Sequence, residues 1–85
     1  MKITYDEAKR LRNLTKHGLD FADLDLSFFK AALVVEANRK RARAIAPFQG
    51  RLITVVFVPL GTEALSVISM RPASKKERTH YAEAP

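Results

Sequence analysis

The residues best equipped for chemistry lie in one stretch, Ser66–Tyr81, which reads SVISMRPASKKERTHY. Arg71, Lys75, Lys76 and Arg78 crowd a single corner there. Four cations so placed suit an anionic ligand, and the plainer alternative is a basic helix that faces water. Two histidines complete the inventory of groups able to exchange a proton near neutrality. His17 precedes Gly18, where a donor also satisfies the last carbonyls of a helix, so proton exchange and capping are both open to it. His80 reads as a solvent-facing residue.

The corner needs a strand before it and a helix after it. The apolar run Leu65, Val67, Ile68 and Met70 stops at Arg71-Pro72. Proline gives no N–H to a ladder and disfavours helix at the residue before it, so the strand ends at this point. Ser74 with Glu77 three residues on is a capping box that starts a helix over about 73–83. Arg71 is thereby fixed as the last residue of a strand. The helix itself is poorly amphipathic, with Ala73, Tyr81 and Ala84 its main apolar residues, and it packs weakly alone.

Upstream, Thr4 with Glu7 reads as another capping box, predicting a helix from near Tyr5 to about His17 with Gly18 in the left-handed cap. Ala8, Leu11 and Leu14 form its expected buried stripe, with Lys9, Arg10, Asn13 and Lys16 off it. Asp20 is expected to cap a second helix carrying Phe21, Leu24 and Phe28 on one face. Four strands follow, over 31–36, 41–46, 52–58 and 63–71, joined by short turns that favour an antiparallel meander. Leu52–Val58 is apolar on both faces apart from Thr54, which places it centrally. The expected fold is α+β in the order ααββββα, one domain over residues 1–85, with the helices on one face of a four-stranded antiparallel sheet.

Composition narrows the class. The chain has 85 residues and no cysteine, which removes disulfide scaffolds and thiolate zinc sites. No run approaches the ~20 apolar residues of a membrane span, and the polar N-terminus predicts no signal peptide. A cytoplasmic, metal-free protein without cofactor is the expectation. The net charge of +6 is placed unevenly. Residues 1–38 hold six cations and six anions, so the whole excess lies after residue 38 and points to a polyanion or an acidic protein partner.

Three segments together resemble the BrnT-like ribonuclease toxins of bacterial type II toxin–antitoxin pairs. YDEAKRLRNLTKHGLDFADL matches the family's opening through Asp6, Lys9, Asn13, Lys16, His17, Gly18 and Phe21. RLITVVFV is similar to its central strand. ISMRPASKKERTHY matches its closing motif through Ser69, Arg71, Ala73, Glu77 and Tyr81. The chain departs from the pattern at Ala46-Pro47-Phe48-Gln49, where the family has a glycine and a basic turn, and at Tyr5, where it often has tryptophan. The resemblance implies a RelE-like fold, RNA as substrate, cleavage without a metal and growth arrest. It also implies neutralisation by a cognate DNA-binding antitoxin, held in a hetero-oligomer.

For such a reaction RNA brings its own nucleophile, the 2′-hydroxyl. The protein must take that proton, stabilise charge on the phosphoryl oxygens and protonate the departing 5′-oxygen. Arg71 is the expected phosphate clamp because its planar fork holds two oxygens. Lys16 and Arg51 are supporting cations, His17 is the proton-exchanging group, and Glu77 is a base or merely the capping residue. Lys75, Arg78, Arg41, Arg43 and Tyr81 are expected on the substrate side, Tyr81 with the alternative role of anchoring the last helix. The rival classes are a non-catalytic nucleic-acid-binding module and a protein whose basic corner serves only to bind its antitoxin. An acidic antitoxin segment is expected to compete with RNA around Arg71, Lys75 and Arg78.

Overall fold

Lys2–Tyr5 shows why local sequence misleads at the N-terminus. In the computed structural model, which describes Met1–Pro85, these four residues form strand β1 rather than the approach to a helix. Thr4 does not cap: its hydroxyl donates to the Leu65 carbonyl at 2.9 Å. Asp6 caps instead, accepting from the Ala8 amide, and helix α1 runs Glu7–His17 to a left-handed Gly18. The cap expected of Asp20 opens only a 3₁₀ turn, Phe21–Asp23. Asp25 starts a separate short helix, α2, over Leu26–Ala31.

The strands that follow are β2 (Leu33–Glu36), β3 (Ala42–Phe48), β4 (Arg51–Leu60) and β5 (Ala64–Pro72), and helix α3 spans Lys75–Glu83. β2 to β5 pair antiparallel in sequence order. β1 adds to the outside of β5 in parallel, Ile3 opposite Leu65, giving the order β1-β5-β4-β3-β2. The expectation of two N-terminal helices on a four-stranded antiparallel sheet is therefore corrected to a five-stranded mixed sheet that begins with a strand. The physical reason is that β1 is too short to declare itself and is selected by a partner strand more than sixty residues away.

Alternation along the strands divides the sheet into two faces. Ile53, Val55, Val67 and Met70 point to one face and close a core with Phe21 and Phe28. Thr54, Arg43 and Arg71 point to the other, where α3 lies with Glu77 hydrogen-bonded to all three. The helices thus occupy both faces, not one.

The apolar stripe expected to bury α1 is also reversed. Leu11 is 49% exposed and Leu14 is 37% exposed, whereas Asn13 is buried at 7%. The Asn13 amide explains why. Its Nδ2 donates to the carbonyls of Leu19 (2.9 Å) and Met70 (2.8 Å), and its Oδ1 accepts from the Met70 amide at 3.0 Å. Three buried hydrogen bonds outweigh the pull of the leucine stripe, since burying Met70's backbone groups unpaired would cost about 1–3 kcal/mol each.

Candidate nucleic-acid interface

β5 changes its neighbour halfway. β1 pairs only with Ala64–Val67, and a bulge at Ile68 re-aims the rest of the strand. Beyond Val67 the outer edge has no strand beside it. Asn13 fills that place with a side-chain amide, meeting both backbone groups of Met70 as a neighbouring strand would. This brace lays α1 against the second half of β5.

The consequence is a cleft of about 340 Å³ between helix and strand, lined by Lys9, Arg12, Asn13, Lys16, His17, Ile68 and Ser69. Lys9, Arg12 and Lys16 recur at i, i+3 and i+7, so they share one side of the helix. None of the three makes a salt bridge, while Arg10 is occupied by Glu7 (2.7 Å) and Asp20 (3.0 Å). Arg10 holds the Glu7 carboxyl below its ordinary range, and the Ala22 amide, with Arg10, holds the Asp20 carboxyl below its own. Three unneutralised cations and an imidazole therefore face one open groove.

Two residues along β5 from Ser69, about 7 Å at strand rise, Arg71 belongs to a second cluster. Glu77 is its hub, with its side chain only 4% exposed. Oε1 accepts from Arg71 Nη1 (2.7 Å), Thr54 Oγ1 (2.9 Å) and the Ser74 amide (2.8 Å). Oε2 accepts from Arg71 Nη2 and Arg43 Nη1, both at 2.9 Å. The Ser74 hydroxyl accepts in return from the Glu77 amide at 3.2 Å, completing the capping box. The Arg71 fork pulls the Glu77 carboxyl far below the carboxylate range, helped by Ser74 and Thr54 and opposed by burial. With five donors on its two oxygens, the Glu77 carboxylate is fully engaged within the chain and holds Arg43 and Arg71 in place. Two guanidiniums on one carboxylate leave a single net positive charge, and Arg43 and Arg71 each keep 32% of the side chain exposed. Arg43 uses only Nη1 on Glu77, and its other guanidinium nitrogens make no hydrogen bond within the chain.

The structure gathers some expected residues and scatters others. Lys16 and His17 meet in the cleft; Arg71, Arg43 and Glu77 meet in the cluster. Arg51 belongs to the Ile53 face of β4, opposite the face of Arg71. Arg41 lines a separate recess with Glu36, Lys40 and Pro59. Lys75 and Arg78 are exposed on α3. Tyr81 lines a recess at the end of α3 with Ala31, Ala32 and Leu33, away from the cleft lining. Lys9 and Arg12 join the cleft beyond the residues expected there, and their spacing with Lys16 is the signal in the sequence that puts all three on one helix side. Asn13 left no local signal.

The arrangement can be set beside known proteins. The family described as the ribonuclease toxin, BrnT, of type II toxin–antitoxin systems matches residues 5–77. The crystal structure of the Brucella abortus ribonuclease toxin, BrnT, is similar with a TM-score of 0.82 and 55% sequence identity, covering 88% of this chain and 99% of that one. No curated protein matches the sequence. Because the match runs from the end of β1 into α3, through both the cleft and the Glu77 cluster, this chain belongs to the BrnT family of ribonuclease toxins of type II toxin–antitoxin systems.

Proposed function

We propose that the chain cleaves RNA internally without a metal ion, in the cleft between α1 and β5. The observation that carries this reading is the row of unpaired cations ending in an imidazole beside Ser69. Lys9, Arg12 and Lys16 bind successive phosphates, and Arg71 and Arg43 stabilise charge on the phosphoryl oxygens. His17 takes the 2′-hydroxyl proton as that oxygen attacks the adjacent phosphorus. The P–O5′ bond breaks, and the imidazolium so formed returns its proton to the departing 5′-oxygen. The products are a 2′,3′-cyclic phosphate and a free 5′-hydroxyl.

Loss of cellular RNA arrests growth, and the cognate antitoxin relieves it by forming a hetero-oligomer that also binds DNA. The family membership supports that part of the reading. The toxin acts in the cytoplasm, where its RNA is; no helix is long and apolar enough to cross a membrane.

The proton role has a specific test. His17→Gln is expected to cut the cleavage rate by about 10²-fold or more while the protein stays folded. If His17 only caps α1, the variant loses stability and, where folded, keeps the wild-type rate. That result would remove the imidazole from the chemistry.

A further inference from the structure

α1 turns its apolar side to water. Leu11 (49% exposed) and Leu14 (37%) share that side with Ala8 and Thr15, both exposed as well. A shallow recess of about 440 Å³ lies there, lined by Leu11, Arg12, Thr15 and Lys16. Arg12 and Lys16 also line the cleft. They form a cationic ridge shared by an apolar strip and the substrate groove. No carboxylate of the chain pairs with either. Exposed apolar strips rimmed by charge mark sites for another macromolecule.

From this we infer that the outer face of α1 is the docking surface of the antitoxin. The occupant is an acidic amphipathic helix that sets apolar side chains on Leu11 and Leu14 and carboxylates on Arg12 and Lys16. The inference rests on the family reading, which supplies the existence of an antitoxin. Charge argues against a second copy of the chain, because pairing this face with itself brings two cationic ridges together. Asp6 and Glu7 at the start of the helix are already engaged with the Ala8 amide and Arg10. Charge argues equally against the corner of Arg71, Lys75 and Arg78. Arg71 already has Glu77, and the apolar recess at the end of α3, lined by Ala31, Ala32, Leu33, Tyr81, Ala84 and Pro85, has no cationic side chain in its lining. An antitoxin seated on α1 covers the cleft wall, so it excludes RNA without entering the Glu77 cluster.

The test uses the full chain and its own antitoxin. Binding kinetics are measured for wild type, Leu11→Ser/Leu14→Ser and Lys75→Glu/Arg78→Glu, with circular dichroism as the control for folding. Cleavage of a labelled RNA and the sedimentation of each free protein are recorded alongside. The leucine variant is expected to bind about 10²-fold more weakly, chiefly through faster dissociation. It should cleave RNA like wild type and escape inhibition, while the α3 variant keeps its affinity. Full affinity in the leucine variant, or a loss confined to the α3 variant, would overturn the inference. So would a free wild-type dimer that the leucine changes dissociate with antitoxin affinity intact. Antitoxin binding is read directly, so an inactive wild type would count against the nuclease reading alone. An active enzyme with unchanged affinity in the leucine variant would count against this inference alone.

Discussion

Arg71→Ala is expected to slow RNA cleavage by about 10²-fold or more and to destabilise the fold by about 2 kcal/mol. Both effects come from one guanidinium. Its fork holds Glu77 through two hydrogen bonds, and its exposed third stands at the end of β5 beside the cleft. The stability loss stays below the 3–5 kcal/mol typical of a broken buried pair because Arg43, Thr54 and the Ser74 amide remain on the carboxylate. For a domain of this size that corresponds to a melting temperature lower by roughly 8–16 °C. Arg71→Lys keeps the charge and loses the fork, so it should recover part of the stability and little of the rate. The two effects are separated by assaying cleavage at a temperature where every variant is folded. Cleavage near the wild-type rate by folded Arg71→Ala would make Arg71 a purely structural residue.

Glu77→Gln should produce the largest loss of stability, about 3 kcal/mol, with a changed response to acid. The neutral amide turns two N–H donors toward Arg43 and Arg71 and leaves both guanidiniums without a counter-charge over the sheet. The sign of the pH effect follows from the carboxyl being held below its ordinary value in the folded protein. Between the folded and unfolded pKa values the unfolded chain binds more protons. The stabilisation is therefore complete above about pH 4.5 and is lost as the pH falls below that. Wild type should weaken steeply on acidification, and Glu77→Gln should start lower and weaken less. Asp20, Asp25 and Glu7, also held below their ordinary range, keep a residual slope in the variant. Urea unfolding midpoints from pH 7 to pH 3 measure the difference. Parallel curves would show that Glu77 does not carry this linkage.

What the sequence reveals here depends on how far each decision reaches along the chain. The Ser74–Glu77 capping box, the stop at Pro72 and the left-handed Gly18 are local, and each is visible in four or five residues. The central place of β4 follows from apolar residues on both its faces. β1 is not visible, because Lys2–Tyr5 becomes a strand only by lying along Ala64–Val67. The inward face of α1 is misread for a related reason. Leucine spacing is a local signal, whereas the hydrogen bonds that turn Asn13 inward reach to Met70. Glu77 is half legible: its bond to the Ser74 amide is local, and its partners Arg43, Thr54 and Arg71 arrive from three strands. The separation of Arg51 from Arg71 follows from strand alternation once Thr54 is known to lie opposite Arg71. That register is itself set by the bulge at Ile68.

The most direct measurement is incubation of the purified chain with a defined RNA, in buffer alone and in excess EDTA, followed by analysis of the fragment ends. The cleft chemistry predicts internal cleavage at equal rates in both buffers, leaving 2′,3′-cyclic phosphate and 5′-hydroxyl termini. RNA that is bound but stays intact, or cleavage that stops in EDTA and returns with added magnesium, would contradict it.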